Sequence, residues 1–317
     1  MKVVVTDAGF PDLAAERQAA LAGGATFERA QCRKAKEVAK AVQGAHVAVV
    51  QFAPFTDAAA AAMVPGGRVI RYGVGYDNLD LAAIRDRGLS AAYVPDYCTD
   101  EVADHTAAAI LTLLRRLVPL DAAVRAGGWD VRSVASPMVP MGSVTAGFLG
   151  FGRIPRAVAK RLAGFGMRLI AHDPAPSPVP PEFPVEMVDE ATLLSHADIL
   201  SLHAPARPET QRFLNRERLS RIKPTAFVVN TARGELVDEA ALADALTEGA
   251  LAGALLDVFS VEPLPAYNPL RSAPNILLTP HAAWYSDAAM SRLQALVADE
   301  IARALAGQDP RCPIPGT

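Results

Sequence analysis

The chain has 317 residues, room for two domains, and a formal charge of -3, which gives no general pull toward nucleic acid or an anionic membrane, so neither is expected as a partner. No apolar run reaches membrane-spanning length, and Met1–Asp7 is too short and too soon charged for a signal peptide. Cys32, Cys98 and Cys312 are scattered without metal-ligand spacing and the six histidines are equally dispersed, so a cytoplasmic protein with no metal centre is expected.

The first third alternates short apolar runs with helical patterns: Val3–Val5, Asp12–Ala22, Lys34–Val42, His46–Val50, Asp57–Met63, Val69–Tyr72, Leu79–Arg87 and Leu89–Val94. Such alternation predicts a parallel sheet with helices on its faces, forming a smaller domain of its own. Two strand ends, Val50-Gln-Phe-Ala-Pro54 and Ile70-Arg-Tyr-Gly-Val-Gly75, finish in small or turn-forming residues, and ligands in such sheets bind beyond the carboxyl ends of strands. Gly73 and Gly75 either offer backbone N–H groups to an anion or make a turn with no ligand.

From Asp100 the pattern becomes one long helix, Glu101–Leu117, a natural bridge between domains. The next stretch, Arg125–Pro140, lacks periodicity yet carries Trp129 and Met138; it reads as a dimer arm, with a solvated excursion as the alternative.

Thr145–Pro155 then gives an apolar strand, the turn Gly150-Phe-Gly152-Arg153-Ile154, and a helix from Arg156 to Phe165. A strand turning through glycines into a helix collects free N–H groups and the positive end of the helix dipole at one point, which suits a pyrophosphate. Gly150 allows the tight turn and Gly152 lets phosphates approach the backbone. The next strand, Met167–His172, ends in Asp173, at the place where a dinucleotide-binding unit puts the carboxylate for the ribose hydroxyls. Pro155 stands where a third glycine is usual. Proline is tolerated in the first helical turn, so the helix survives but one phosphate donor is lost.

After a proline-rich loop at Pro174–Pro184, strands Ala197–Leu202, Ala226–Asn230, Ala254–Leu256 and Ile276–Leu278 alternate with a helix at Ala240–Glu248. Three of these strands deliver Arg233, Asp257 and His281 to one edge, with Glu262 a short loop beyond Asp257. The last helix, Ser286–Leu305, returns to the first domain if Leu293, Leu296, Val297 and Ile301 are to be buried.

The segments Asn230-Thr-Ala-Arg233-Gly, Asp257-Val-Phe-Ser-Val-Glu262-Pro and Thr279-Pro-His281-Ala-Ala resemble the three signatures of the D-isomer-specific 2-hydroxyacid dehydrogenases. The similarity extends to Gly75-Tyr-Asp-Asn-Leu-Asp80, Val94–Thr106 and Leu202–Thr210, and His281–Ser286 with Arg71–Gly75 most resembles the C-terminal-binding-protein branch. The resemblance implies an α/β protein of two Rossmann-like domains: an inserted dinucleotide-binding domain at residues 100–284, and a discontinuous flavodoxin-like substrate domain from residues 1–99 and 285–317, with the active site in the cleft. It implies NAD as cofactor, a small 2-hydroxy or 2-oxo acid as substrate, and a homodimer. Cofactor contacts are implied at Gly150, Gly152, Arg153, Ile154, Asp173, His203, Pro205, Thr210, Thr231, Ala232, Asp257 and Thr106, and substrate contacts at Arg71, Gly73, Val74, Gly75 and Trp284. Asp257 either meets the nicotinamide side of the cofactor or packs and caps; Trp284 is either a pocket wall or core.

The implied catalytic residues Arg233, Glu262 and His281 fit the chemistry. A 2-hydroxy acid must lose a hydroxyl proton while hydride leaves carbon, and an imidazole serves both directions near neutral pH. A carboxylate on its other nitrogen fixes the tautomer and favours imidazolium. A guanidinium offers the planar donor pair that a 2-oxo acid's carboxylate and carbonyl require. The alternative function is a dinucleotide-responsive binding or corepressor-like protein that keeps the dehydrogenase fold. The complete set of three favours the enzyme.

Overall fold

The computed structural model describes residues 1–174 and 184–317, so the expected loop at Pro174–Pro184 lies outside the described residues except at its ends. The chain divides into two compact units, Met1–Cys98 with Ser286–Thr317, and Thr99–Tyr285. Both are α/β with wholly parallel sheets.

In the first unit, β1 (Lys2–Val5), α1 (Ala14–Ala22), β2 (Thr26–Arg29), α2 (Ala35–Ala41), β3 (Val47–Val50), α3 (Asp57–Ala62), β4 (Arg68–Arg71), α4 (Leu81–Asp86) and β5 (Ser90–Ala92) alternate, all but β2 as the sequence predicts. The sheet order β2-β1-β3-β4-β5 is the flavodoxin-like one. β3 is buried along its whole length, the mark of a parallel strand covered on both faces. β2, Thr-Phe-Glu-Arg, escapes the apolar pattern because it is an edge strand and mostly exposed. The chain's last helix, α12 (Asp287–Leu305), lies against α1 in this unit and buries Leu293, Val297 and Ile301.

The second unit opens with α5 (Thr99–Leu114), α6 (Leu117–Arg125) and α7 (Val131–Ala135), and continues through β6 (Thr145–Leu149), α8 (Arg153–Ala163), β7 (Arg168–His172), β8 (Val185–Met187), α9 (Glu190–His196), β9 (Ile199–Leu202), α10 (Arg216–Leu219), β10 (Phe227–Asn230), α11 (Glu239–Thr247), β11 (Gly253–Leu256) and β12 (Ile276–Leu278). Its sheet runs β12-β11-β10-β9-β6-β7-β8. From β6 the chain steps outward to β7 and β8, then returns to β9 on the other side, the reversal that defines a doubly wound dinucleotide fold. Alternate residues face opposite cores: Val228 and Leu256 pack with Leu193 of α9 and Leu242 of α11, Val229 and Leu255 with Ile110 of α5 and Val158 of α8.

Two expectations are corrected here. The single helix expected over Glu101–Leu117 is interrupted at Arg116, which is left-handed at φ 51°. Pro119 explains the break, because in a continuous helix its ring would strike the carbonyl of Arg115; it sits instead in the first turn of α6, where no N–H is needed. Arg116 is used in the bend: its guanidinium stacks over Phe227 at 4.7 Å and Nη1 donates to the Ala252 carbonyl at 3.2 Å. The Arg125–Pro140 stretch is also less irregular than its sequence suggests, since Asp130 accepts from the Arg132 and Ser133 N–H groups and starts α7.

Candidate active site

β6 ends at the point of reversal, flanked by β7 and β9. Gly150 follows it at φ 83°, donating its N–H to the His172 carbonyl at 2.8 Å. A Cβ there would lie 3.0 Å from the Ala204 nitrogen and 3.1 Å from His203 backbone atoms, so geometry and space both call for glycine. Gly152 is the N-cap of α8, makes no side-chain cap, and a Cβ on it would meet nothing within 4 Å. The helix therefore starts one turn earlier than its apolar pattern, with Arg153 and Ile154 in its first two positions and the buried Pro155 third. Open space over an uncapped N-terminus fits a pyrophosphate. Asp173 follows β7, and its Oδ2 accepts the Phe151 N–H at 2.8 Å, which ties the carboxylate to the glycine turn.

The loop after β9 borders the same turn. His203 donates its N–H to the Leu149 carbonyl at 2.8 Å, its Nε2 lies 2.8 Å from Ser201 Oγ, and its ring lies 6.0 Å from that of Phe148. Burial pushes its imidazole down to about 3, so the ring is neutral. Pro205 is exposed, whereas the Thr210 hydroxyl bonds the Pro205 carbonyl at 2.5 Å and receives the Arg207 N–H at 2.9 Å. Thr106 is fully buried on α5, its hydroxyl 2.8 Å from that of Thr231 and 2.7 Å from the Val102 carbonyl. Thr106 and Thr210 thus brace the loops from within.

β10, β11 and β12 are neighbours in register, Asn230 beside Leu256 beside Leu278, so the residues that follow leave one edge of the sheet together. After β10, the buried Asn230 uses its whole amide on the turn: Nδ2 donates to the Arg233 carbonyl at 2.8 Å and Oδ1 accepts the Ala232 N–H at 3.1 Å. Arg233 is half-buried at the end of this turn. Gly234 lies so close to the next loop that a Cβ would stand 1.9 Å from the Phe259 carbonyl carbon.

Asp257 follows β11 and is fully buried. Its Oδ1 accepts from the Thr279 hydroxyl at 2.5 Å and the Ala282 N–H at 2.8 Å, Oδ2 accepts the Ala283 N–H at 2.9 Å, and its carbonyl takes the His281 N–H at 2.8 Å. The carboxylate thus shapes the Thr279–Ala283 turn, as its capping reading requires. His281 is held in that turn at φ 52°. Its Nδ1 lies 2.7 Å from Glu262 Oε2, while Glu262 Oε1 accepts the Phe259 N–H at 2.9 Å. Burial pushes the Glu262 carboxyl up, but the hydrogen bond and charge of His281 with the Phe259 N–H outweigh it and hold the group below the ordinary carboxylate range. Trp284 is half-buried, its ring edge-on to Tyr285 at 5.7 Å.

In the first unit, Gly73 has φ 145°, and a Cβ there would lie 2.6 Å from Arg71 Nη1, so the arginine folds back over the glycine backbone. Val74 and Gly75 are half-exposed. Sequence reasoning missed Asp7, whose carboxylate accepts from the Gln51, Phe52 and Ala53 N–H groups at 2.6–3.1 Å and fixes the turn after β3. An acid closing a buried strand was the only signal of it. Among the described residues no group of His, Cys, Asp or Glu is arranged to hold a metal, and no helix is long and apolar enough to cross a membrane.

A doubly wound sheet with an open glycine turn, a ribose-type carboxylate and a carboxylate-held histidine on the same carboxyl edge defines a dinucleotide-dependent oxidoreductase. The family model described as D-isomer specific 2-hydroxyacid dehydrogenase, NAD binding domain, matches residues 107–283. A glyoxylate reductase of Korarchaeum cryptofilum is 40% identical over 247 residues, 76% of this chain and 74% of that one. Among solved structures, a Thermus thermophilus protein superposes with a TM-score of 0.85 at 35% identity, covering 99% and 100% of the two chains. The D-lactate dehydrogenase of Aquifex aeolicus, complexed with NAD and lactic acid, gives 0.86 at 26% identity over 96% of each. The chain belongs to the D-isomer-specific 2-hydroxyacid dehydrogenase family. It is an NAD-dependent oxidoreductase of 2-hydroxy and 2-oxo acids.

Proposed function

We propose that the chain moves a hydride between NAD and a small D-2-hydroxy acid/2-oxo acid pair, with glyoxylate the first oxo acid to test. His281 is the acid–base group, Glu262 holds it, and Arg233 takes the substrate's carboxylate and carbonyl. The observation that carries this reading is the 2.7 Å contact between His281 Nδ1 and Glu262 Oε2. It leaves Nε2 as the nitrogen that gives a proton to a ketone oxygen in reduction and takes it from a hydroxyl in oxidation. Bound NAD supplies or accepts the hydride. Gly150, Gly152, Arg153 and Ile154 would hold its pyrophosphate, Asp173 its ribose, and the His203–Pro205 and Thr231–Ala232 segments its remaining length. Asp257 acts one step back, by shaping the histidine's turn. Arg71, Gly73, Val74, Gly75 and Trp284 would hold the substrate, which makes residues 1–98 with 286–317 the substrate unit and residues 99–285 the cofactor unit. Shared family membership and the glyoxylate reductase name of the Korarchaeum relative support the substrate class.

Assembly as a cytoplasmic homodimer completes the reading. α6 has no buried residue, and Leu117, Val118, Val124, Trp129 and Val131 on and beside it are all exposed, an apolar patch that a second copy would cover. Light scattering at micromolar protein should give twice the chain mass; a monomer would remove the dimer. The function is tested by following NADH absorbance with a panel of 2-oxo acids. Turnover of glyoxylate or a close relative is expected, and failure of every acid in the panel would sink the proposal.

A further inference from the structure

Glu16, in the first turn of α1, is fully buried, and so is Tyr72, the residue that follows β4. The Tyr72 hydroxyl donates to Glu16 Oε1. Burial pushes both groups above their ordinary ranges, and their mutual contact adds to the shift of the phenol. An apolar pair of similar size would fill this space without stripping water from a carboxyl group, so the polar pair adds direction rather than cohesion.

Tyr72 carries that direction to the turn after β4. The Tyr72 ring packs on Phe10 at 4.8 Å, and its N–H donates to the Val50 carbonyl at 2.8 Å. Its own carbonyl accepts from Arg71 Nη1. The guanidinium so held lies over the Gly73 backbone and 6.0 Å from the Phe52 ring, and the Gly73 carbonyl takes the Val94 N–H at 3.1 Å. Any movement of Tyr72 therefore moves Arg71 and the start of the Gly73–Gly75 turn. We propose that the Glu16–Tyr72 pair is a positioning device that fixes the Arg71–Gly75 turn in the arrangement that binds the substrate acid, and so sets the KM for the oxo acid without touching it. This rests on the reading that the turn binds that acid.

The test uses the full chain with NADH and glyoxylate, or the panel acid turned over fastest if that is another. Tyr72→Phe, which removes one oxygen and keeps the ring packing, and Glu16→Leu should each raise the KM for the oxo acid about tenfold, the size of one buried hydrogen bond. kcat and the affinity for NADH should stay within about twofold, because neither group reaches the cofactor residues or the histidine. Glu16→Gln should restore most of the affinity, since an amide oxygen also accepts from the phenol. Arg71→Ala separates the two claims. If it leaves KM unchanged, the turn does not bind the acid and the underlying reading fails. If it raises KM while Tyr72→Phe and Glu16→Leu do not, only the positioning role is overturned. Equal losses of kcat, NADH affinity and acid affinity would show a general loss of fold and overturn it too, as would a Glu16→Gln variant no better than Glu16→Leu.

Discussion

His281 Nδ1 and Glu262 Oε2 stand 2.7 Å apart, with both side chains about a third exposed at 35% and 33%. The contact sets which imidazole nitrogen is left for substrate. Glu262 is held below the ordinary carboxylate range, so its contribution to folding is complete above the unfolded value of about 4.3 and is lost only as pH falls through the lowered folded value. Across neutral pH the charge is present. Glu262→Gln keeps a hydrogen-bonding group and removes that charge, so kcat/KM for the oxo acid should fall by about tenfold with NADH affinity kept within about twofold. Unchanged kcat/KM in that variant would count against the assigned role.

Asp173 should choose the cofactor. Its carboxylate is fixed against the Phe151 N–H, where ribose hydroxyls would donate to it and a 2′-phosphate would be repelled. kcat/KM should favour NADH over NADPH by about 100-fold, a like-charge penalty of ~3 kcal/mol, and Asp173→Ala should narrow the ratio. Equal efficiency of the two cofactors with the unaltered protein would remove the idea.

Gly234 locks the arginine turn to the loop leading to Glu262. A Cβ 1.9 Å from the Phe259 carbonyl carbon cannot be accommodated without moving backbone. Gly234→Ala should therefore cost about 1–3 kcal/mol of stability and reduce kcat/KM by displacing Arg233 and Glu262 together. Thermal melting beside steady-state kinetics checks both, and an alanine variant equal to the parent in each would show the two loops to be independent.

His203 should make the protein acid-sensitive. Its folded-state value is pushed down to about 3, against about 6.5 in an unfolded chain, so between these limits the unfolded state binds a proton that the folded state refuses. Stability should fall as pH drops through that window. His203→Asn should melt with a shallower pH dependence between about pH 6.5 and 3, the span those two values enclose. Parallel curves would show that another group governs the acid limb.

The sequence made the parallel strands legible because a strand covered on both faces must be a continuous apolar run, as in Val47–Val50 and Phe227–Asn230. It made the glycine turn legible because Gly150 and Gly152 answer to backbone constraints that side-chain-bearing residues do not meet. Two of the four edge strands were hidden: Thr26–Arg29 and Val185–Met187 are mostly exposed and carry no such run. The break between α5 and α6 was masked by apolar spacing that runs on through it, although Pro119 marked it. Least legible was the direction of each carboxylate. Asp7 and Asp257 both follow the carboxyl ends of parallel strands, yet both turn inward onto backbone N–H groups. A strand-end acid looks the same in sequence whether it serves a ligand or a loop.

The central claim is that His281 handles the proton, and its most direct test is single-turnover reduction by His281→Asn with NADH bound, on the oxo acid that the unaltered protein reduces. The account predicts a hydride-transfer rate lower by roughly 10²–10⁴, with NADH affinity kept within about twofold because the cofactor residues lie on other loops. A His281→Asn variant that transfers hydride at the unaltered rate, with chemistry shown to be the slow step, would contradict it.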